Sequence, residues 1–409
     1  MSGSWPQLTP WGRFFKLSGY TAGKKLVDKE GFNYFPAGVL GQMGLTWATQ
    51  PNNSLGQTVI TQNGSPDAYS FAGEIGTKLT DFLGVFYEYQ VGNTFPGWKG
   101  SAGPADIRAV HFFHPGGNEL LVGIDSNNNP AEQDVFNSEP GPWGYPFYGS
   151  PQAPNGPANP IMTSLGTQVG SVGVYALLNR EWYAELSVYH VATDFFRWMS
   201  AGTAFQTGGK NYLDGYNPYW RAYWTKERGS QSLMIGTFRL HSKVFPNSAV
   251  PSGPTNVFTD FGFDSQYQYL ADTHKVTLRA SCLYENQQWN ASFPVAASSV
   301  ATGNLKSLNL NGSYGYRNQW VFNAAYFSNH GNNNTARYVV TDPSGTQLTS
   351  SPNTSGYVLE VDRLITQNVQ ATLQYKGFVR FNGLTNNIDG LGRNASDNNT
   401  LWLTVFFAF

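Results

Sequence analysis

The residues best suited to chemistry in this 409-residue chain are ionisable side chains that alternate with apolar ones. Glu74 and Lys78 fall on one parity, while Ile75 and Leu79 fall on the other. Successive side chains of an extended strand point to opposite faces, so this alternation predicts one polar face and one apolar face. The ionisable residues predicted to share the polar face, as the lining of a lumen, are Glu74, Lys78, Glu88, Asp106, Arg108, Glu185, Arg221, Arg239, Asp260, Asp264, Arg279, Glu360 and Lys376.

These predicted lumen residues carry both signs of charge. A single-sign ladder, which would select phosphate or cations along a pore, is therefore not indicated. We expect these residues to line a hydrated barrel interior and to form salt bridges with one another. Alternatively, the charges pack against a segment that plugs the lumen.

The remaining reactive side chains do not indicate catalysis or metal binding. The six histidines include only one loose pair, His111 and His114, at a predicted turn, and Cys282 is the single cysteine. One thiol excludes an intrachain disulfide and a zinc site built from several thiolates. The chain also lacks a nucleophile elbow, a phosphate-binding loop and a Cys-x-x-Cys-His haem motif. The sequence therefore predicts a protein that is not an enzyme and that binds no cofactor covalently.

One long connection, 126–166, has the composition of an ordered loop because Pro, Gly and aromatic residues are dense in it. Long connections without regular structure are commonly functional, and this one is the third long connection along the chain. We expect it to fold inward and constrict or plug the lumen. The residues predicted to carry this role are Asn129, Asp134, Trp143, Tyr145 and Phe147.

The elements that must position these residues are strands with period-two alternation. The last ten residues are the clearest example: Leu401, Leu403, Val405, Phe407 and Phe409 alternate with their neighbours up to the end of the chain. The predicted strands are 35–48, 68–79, 82–91, 105–113, 119–125, 167–178, 182–191, 218–226, 231–241, 258–270, 274–286, 304–315, 319–328, 355–364, 368–378 and 400–409. Sixteen is an even number, as single-chain outer-membrane barrels require.

Short and long connections alternate along the chain. The predicted short connections are 80–81, 114–118, 179–181, 227–230, 271–273, 317–318 and 366–367. The predicted long connections are 49–67, 92–104, 126–166, 192–217, 242–257, 287–303, 329–354 and 379–399. This rhythm favours a barrel over a soluble sandwich and puts both termini on the side of the short turns, the periplasm.

The predicted fold class is therefore all-β: a transmembrane, antiparallel, up-and-down β-barrel of the bacterial outer-membrane type. We expect residues 1–34 to form an N-terminal periplasmic or plug segment and residues 35–409 to form the barrel. No apolar run approaches the roughly 18 to 20 residues of a transmembrane helix. The chain begins without an apolar signal segment, so we expect a mature or engineered N-terminus.

Composition agrees with a Gram-negative outer-membrane barrel that has lipid-facing aromatic girdles. Charged residues make up 12% of the chain and aromatic residues 15%. The ordinary share of charged residues in soluble domains is about 25%. The net charge of −1 gives no electrostatic reason to expect a nucleic-acid partner. The partners implied are the lipid bilayer and small solutes or ions, and an oligomer is possible.

Two motifs resemble the fused cytochrome-porins of iron-oxidising bacteria. The first, 4–21, reads SWPQLTPWGRFFKLSGYT and is similar to the joint at which a monohaem c-type cytochrome runs into a barrel of about sixteen strands. The second comprises Asn127 to Pro130, Gln133 to Asn137 and Trp143 to Phe147, and it looks like the porin half of these proteins. The resemblance extends over the full length, although these two short motifs carry most of it.

The resemblance implies electron transfer across the outer membrane, from extracellular Fe(II) or another donor to a haem in or under the barrel. This chain departs from the family because Cys282 cannot form two thioether bonds to haem. A haem c would therefore belong to an absent upstream segment or to a partner c-type cytochrome. Trp5, Leu8, Trp11 and Phe15 would then form an apolar stub that contacts the cytochrome. The edge of a periplasmic plug is the alternative interpretation of this stub.

Three functions remain open at this point. The first is the sheath of a porin-cytochrome electron conduit, as the joint motif implies. The second is a diffusion porin for small solutes, which the mixed charges and the ordered third long connection favour. The third is a surface receptor or adhesion barrel that uses the loops around 192–217 and 329–354.

Overall fold

A computed structural model describes residues 8–23, 27–28, 31–32, 37–60, 63–94, 97–141 and 149–409. Sixteen long strands form one closed antiparallel sheet in which each strand pairs with the next, and the last pairs with the first. The strands are β1 Ala37–Ala48, β2 Pro66–Lys78, β3 Leu83–Thr94, β4 Gly97–Phe113, β5 Leu120–Asn127, β6 Val169–Leu178, β7 Trp182–Val191, β8 Asn217–Arg228, β9 Gln231–Phe245, β10 Asn256–Leu270, β11 His274–Gln288, β12 Thr302–Tyr316, β13 Trp320–Gly331, β14 Thr354–Leu364, β15 Val369–Arg380 and β16 Thr400–Ala408. The predicted all-β barrel of the outer-membrane type is confirmed.

Alternation of side chains along the strands determines which face looks into the barrel. In β16, Leu401 and Leu403 are exposed on the outside, whereas Trp402 between them is fully buried on the inside. In β11, Thr277, Arg279 and Ser281 are buried. A barrel in lipid needs this arrangement, because the outer face meets hydrocarbon and the inner face meets water or other polar groups.

Short turns close one end of the barrel. The turn between β6 and β7 has positive φ at Asn179 (51°) and Arg180 (57°), and the turn between β12 and β13 has positive φ at Arg317 (51°) and Asn318 (53°). Two successive residues with positive φ match the twist of antiparallel strands in a tight hairpin. We call the end of the barrel that carries these turns the short-turn end and the opposite end the long-loop end.

The predicted long connection 92–104 is wrong, because β3 continues to Thr94 and β4 begins at Gly97. Gly100, within the predicted connection, lies inside the sheet. A Cβ at Gly100 would lie 2.3 Å from the Tyr89 hydroxyl, so the Tyr89 side chain would have to move if any other residue stood there. The glycine here accommodates a neighbouring side chain and does not end the strand.

Helix α1 (Pro10–Leu17) precedes the barrel strands. Thr9 is the N-cap, and its Oγ1 accepts a hydrogen bond from the Gly12 N–H at 3.2 Å. The 3₁₀ helices are Pro115–Gly117, Pro130–Gln133, Ile161–Ser164, Asp194–Ser200, Phe205–Thr207 and Ala395–Asn398. The minor strands are Val27–Asp28, Gly31–Phe32, Tyr212–Leu213, Val340–Thr341 and Gln347–Thr349. Within the described residues, no helix has the length and apolar character needed to cross a membrane.

The packed core of the protein lies inside the barrel. One buried cluster combines Leu17 at the end of α1 with Val135 and Phe136 of the connection after β5 and with wall residues such as Tyr175 and Met234. A second cluster joins Ile161 and Met162 of the same connection to other wall residues. The interior is therefore filled in large part by two segments that are not barrel strands.

Candidate functional site: a constricted lumen

Most of the charged residues predicted to line the lumen do point inward. Asp106, Arg108, Glu185, Arg221, Asp260, Asp264, Arg279 and Glu360 are buried on the inner face. Glu74 and Glu88 line an internal cavity. Lys78 lies on the same face of β2 as Glu74 and forms an ion pair with Asp81 of the adjoining turn at 3.0 Å. The Nζ of Lys376 lies over the rings of Phe327 and Phe378 inside the barrel.

Arg239 is an exception, and its predicted place in the lumen is wrong. Its side chain is exposed on the outer face of β9, while its neighbours Phe238 and Leu240 are fully buried inside. The rule that polar residues point inward fails here because the inner face near the long-loop end packs against an apolar cluster that includes Phe238 and Leu240. The polar side chains of this part of β9 therefore alternate onto the outer surface.

We call the connection between β5 and β6 the constriction loop, and its described parts, residues 128–141 and 149–168, lie in the lumen. Asp134 organises its first part, since its carboxylate accepts hydrogen bonds from the backbone N–H groups of Phe136 at 2.9 Å and Glu139 at 2.8 Å. Asn129 is buried, and its Oδ1 accepts from the Ala131 N–H at 3.2 Å. Trp143, Tyr145 and Phe147, which the sequence also assigns to this role, lie outside the described residues.

Arg221 of β8 ties the constriction loop to the barrel wall. Its Nη2 lies 3.1 Å from Asp134 Oδ1 and 2.7 Å from Oδ2 of the wall residue Asp264, and its Nη1 donates to Glu139. The Tyr219 hydroxyl also donates to Glu139 at 2.9 Å. Three carboxylates thus surround one fully buried guanidinium.

The carboxyl group of Glu139 is buried, and burial disfavours its ionised form. Burial raises its pKa to about 8, and the Arg221 guanidinium opposes this shift only in part. Asp134 and Asp264 raise this pKa further by repulsion. A protonated Glu139 leaves two carboxylates next to Arg221 and reduces the repulsion within the cluster.

The far end of the constriction loop is anchored separately. The Ile161 N–H donates to Glu285 Oε2 at 2.5 Å, and the Met162 N–H donates to Asp260 Oδ2 at 3.0 Å. These two backbone donors belong to the start of a 3₁₀ helix, where N–H groups otherwise lack partners. The loop is therefore held near its start by the Arg221 cluster and near its end by the carboxyl groups of Glu285 and Asp260.

Helix α1 lies inside the short-turn end of the barrel. Arg13 donates from Nη1 to Gln268 at 2.8 Å and from Nη2 to Glu227 at 3.0 Å. The Tyr175 hydroxyl donates to the Leu17 carbonyl at 2.6 Å. The helix thereby contacts β6, β8 and β10 of the wall.

Helix α1 also contacts the constriction loop. Lys16 Nζ lies 2.5 Å from Glu132 Oε1, and the Arg13 guanidinium lies over the Phe136 ring at 4.7 Å. Burial raises the pKa of Glu132, and the nearby Lys16 ammonium opposes that rise. The helix and the loop therefore form one internal assembly.

The predicted apolar stub faces the lumen. Trp11 stacks on Phe15 with ring centroids 5.2 Å apart and planes 9° apart, and both residues line the cavity together with Leu8. Trp11 remains 64% exposed, so one face of the indole is free of protein contacts. Trp5, the fourth residue of the predicted stub, lies outside the described residues.

A cavity of about 540 Å³ remains between α1, the constriction loop and strands β1 to β4. Glu74 and Glu88 are directly opposite each other on β2 and β3. The ionisable residues lining the cavity are Glu74, Glu88, Glu132, Asp134, Glu139, Lys16 and Tyr20. Carboxylates thus dominate the lining, and Lys16 is the only lysine or arginine among the described residues that line it.

Several residues of this site were missed by sequence reasoning. Arg13 and Lys16 lie in the N-terminal segment, and Glu132 and Glu139 lie in the constriction loop. Neither segment is part of a strand, so the alternation of strand residues gives no information about them. The available signal was the opposite charge of these two segments, which makes their mutual contact favourable.

Solved structures of outer-membrane barrels share this fold. OmpF of Salmonella typhi, in a complex with daunomycin, is 9% identical over 91% of this chain and 97% of its own, with a TM-score of 0.50. An anion-selective porin from Comamonas acidovorans is 9% identical over 91% and 98%, with a TM-score of 0.49. The channel DcaP of Acinetobacter baumannii is 11% identical over 95% and 100%, with a TM-score of 0.48.

Comparison by sequence, unlike comparison by structure, found no similar protein. No protein-family model and no curated protein matches the chain. The structural similarity at such low identity shows the fold alone, that of the outer-membrane porins and channels. None of the structures named above links the chain to the cytochrome-porins.

Proposed function

We propose that this protein is an outer-membrane channel for small solutes, in which the constriction loop and helix α1 leave a narrow passage that favours cations. The observation that carries the proposal is the carboxylate-lined cavity between these two segments and strands β1 to β4. A diffusion porin was one of the alternatives that the sequence left open. The porin fold fits it at least as well as the electron conduit.

The preference for cations follows from the charges that face the cavity. Glu74 and Glu88 lie side by side across β2 and β3, whereas Glu132, which reaches the same cavity from the constriction loop, is paired with Lys16. A cleft lined by one sign of charge with low-dielectric walls concentrates counter-ions. Rings of carboxylates are a known basis for cation selectivity in channels.

The orientation in the membrane follows the usual arrangement of such barrels. We propose that the short turns and both termini face the periplasm and that the long loops face the cell exterior. The lipid bilayer and small solutes are the partners that this function implies. Assembly into an oligomer stays a prediction.

The test is the ion selectivity of the purified full-length chain in a planar bilayer. In a salt gradient we expect ohmic conductance with a reversal potential that indicates a preference for cations. The variant E74Q/E88Q should shift the reversal potential toward zero, because it removes the negative charge that the Glu74–Glu88 pair carries in the passage.

A matched control removes the same amount of charge elsewhere. D194N/D272N changes two exposed residues, one in a long loop and one in a short turn. It should keep the wild-type reversal potential. A chain without ohmic conductance, or selectivity that E74Q/E88Q leaves unchanged, would contradict the proposal.

The second candidate is the sheath of a porin-cytochrome electron conduit. One observation favours it: the Trp11–Phe15 stack exposes an aromatic face at the short-turn end, where a c-type cytochrome would dock. The test is an intact mass together with a reduced-minus-oxidised absorption spectrum of the protein from its native membrane. Sharp c-type bands in the protein or in a copurifying subunit would support this candidate, and their absence would remove it.

A further inference from the structure

Four aromatic rings form a continuous row in the lining of the lumen cavity. Trp11 stacks on Phe15, and the Phe15 and Tyr20 rings meet edge to face with centroids 5.6 Å apart. The Tyr20 ring stacks in turn on Phe86 of β3, with centroids 6.3 Å apart. All four residues line the cavity. We call them the aromatic row, which leads from helix α1 to the barrel wall.

The rings of the aromatic row are held in place from both of its ends. Trp11 and Phe15 are four residues apart on α1 and therefore share one face of the helix. The Tyr20 hydroxyl donates to Asp106 Oδ2 at 2.6 Å, which fixes that ring against β4. Phe86 belongs to a strand of the closed sheet. A surface that is already ordered binds a ligand at a lower entropic cost.

The aromatic row ends next to the Glu74–Glu88 pair. Phe86 and Glu88 are two residues apart on β3, so their side chains share the inner face at a spacing of roughly 6.6 Å along the strand. Both glutamates line the cavity and are partly exposed to it. An apolar aromatic surface and a pair of carboxyl groups therefore adjoin each other in one cavity.

The Glu74–Glu88 pair differs from the other carboxylates of the cavity in its surroundings. Within the described part of the chain, neither of the two glutamates forms an ion pair. The other carboxylates of the lining are paired with basic residues: Glu132 with Lys16, and Asp134 and Glu139 with Arg221. Like charges directly opposite each other on neighbouring strands repel, so a cation between Glu74 and Glu88 would relieve this repulsion.

Two glycines leave the wall of the cavity uncovered where the aromatic row meets the pair. Gly38 of β1 is the register partner of Glu74, and Gly76 of β2 is the register partner of Phe86. Both glycines line the cavity. The cavity volume of about 540 Å³ falls in the range of about 300 to 1,000 Å³ that is typical of sites for small organic molecules.

We propose that this cavity binds organic cations in which an ammonium group is joined by a short linker to an aromatic ring. The ammonium group lies between Glu74 and Glu88, where it donates charge-assisted hydrogen bonds to the carboxyl oxygens. The ring of the ligand packs on the aromatic row, with Trp11 offering an exposed face. This inference rests on the proposed channel function, for which it names the class of solute.

Other classes of solute use only a part of the site. An inorganic cation interacts with the two glutamates but has no ring to pack on the aromatic row. A neutral aromatic molecule packs on the row but leaves the repulsion between the glutamates in place. An anion is repelled by the charge of the pair. An aromatic ammonium ion is complementary to both parts of the site.

The experiment measures binding of phenethylammonium to the full-length chain in detergent by isothermal titration calorimetry at neutral pH. Ethylammonium lacks the ring and phenethyl alcohol lacks the charge, so these two compounds are matched probes for the two parts of the site. We expect phenethylammonium to bind on the order of tenfold more tightly than either probe, since the ring and the charge both contribute to the affinity.

Two variants separate these contributions. W11A should weaken binding of phenethylammonium about fivefold and leave binding of ethylammonium unchanged, because it removes one ring of the aromatic row. E74Q/E88Q should weaken binding of both ammonium ions about tenfold, because it removes the charge that attracts them.

Two further variants are controls. W11F keeps a ring at this position and should bind phenethylammonium within about twofold of the wild type. W182A removes an exposed tryptophan from the outer face of β7 and should bind like the wild type. Heat-modified electrophoretic mobility reports folding of each variant.

Three results would overturn the proposal. Equal affinity for phenethylammonium and ethylammonium would mean that the aromatic row takes no part in binding. Equal affinity for phenethylammonium and phenethyl alcohol would mean that the glutamates take none. The third result is an equal loss of phenethylammonium binding in W11A and W182A.

The outcome is distinguishable from that of the channel test. A chain that binds phenethylammonium as expected, but shows no ohmic conductance in a planar bilayer, would retain the binding site and contradict the proposed channel. A cation-selective channel that does not distinguish phenethylammonium from ethylammonium would retain the channel and contradict the binding site.

Discussion

At the scale of single residues, the Arg221 cluster connects the barrel wall to the segment that narrows it. One guanidinium contacts two carboxylates of the constriction loop, Asp134 and Glu139, and one of the wall, Asp264. All of these groups are buried. Removing one partner of such a cluster leaves the others as uncompensated buried charges.

Replacing Arg221 by Gln should therefore release the constriction loop. We expect a loss of stability of about 3 to 5 kcal/mol, the usual cost of breaking a buried ion pair. Single-channel conductance should rise, because the loop no longer narrows the lumen. Urea unfolding and planar-bilayer recordings measure the two effects.

Arg363 provides a control, since it donates to Gln319 at an exposed position. R363Q should keep wild-type stability and conductance. If R221Q has the same conductance as the wild type, Arg221 does not hold the loop in place.

Glu139 makes the docking of the loop depend on pH. Its pKa is raised from 4.5 to about 8 in the folded protein, so the folded state binds more protons than the unfolded state between these values. The free energy of unfolding therefore falls as pH rises through this window, and the stabilising effect of the proton is fully present only below it. We expect E139Q to remove this part of the pH dependence.

The measurement is the free energy of unfolding of the wild type and of E139Q at several pH values. The difference between the two proteins isolates the contribution of Glu139 from that of other titrating groups. Two parallel pH profiles would mean that Glu139 does not titrate in this range.

At the scale of elements, strands carry the barrel and two other segments carry the constriction. The strand ladders are continuous through backbone hydrogen bonds, and neither the loop nor the helix takes part in them. The passage, in contrast, is shaped by helix α1 and the constriction loop. In the proposed channel, stability and permeation therefore depend on different parts of the chain.

Replacing residues 131–165 by a short Gly-Ser linker should widen the channel while the barrel remains folded. We expect a several-fold larger conductance and weaker ion selectivity, because the two anchors of the loop are lost together with Glu132. Trimming residues 339–348, a mostly exposed part of another long loop, should change neither quantity. Equal conductance of the two deletion variants would contradict this division of roles.

The alternation of polar and apolar residues was sufficient to predict most of the strands. It gave a wrong strand boundary or a wrong face where packing against neighbouring side chains determined the position of a residue. Gly100, where the absence of a side chain leaves room for the Tyr89 ring, lies inside β4 and not in a loop. Arg239 points outward because apolar side chains fill the interior at its level. Contacts such as Arg221 with Glu139 lay beyond prediction, since they depend on how a loop without periodicity folds back onto the wall.

At the scale of the whole molecule, the proposed orientation assigns every long loop to one side of the membrane. A test needs single cysteines in a C282A background, because Cys282 is the only thiol in the chain. S344C lies in a long loop and D272C in a short turn, and both positions are exposed.

A membrane-impermeant maleimide applied to intact cells should label S344C and should leave D272C unlabelled until the cells are lysed. The short turns would then face the periplasm, as the proposed channel requires. Labelling of D272C in intact cells, with S344C protected, would reverse the assignment.

The pairing of β16 with β1 has a consequence for how the protein assembles. This seam joins residues that are separated by most of the chain, and contacts between distant residues form at a high entropic cost and therefore late in folding. Helix α1 and the constriction loop lie inside the ring that the seam completes, and they are bonded to β6, β8 and β10. We infer that they dock on a still open sheet and bring its inner face together before the last two strands meet. The segments that narrow the passage would then also guide closure of the barrel, so that a chain lacking both should fold more slowly.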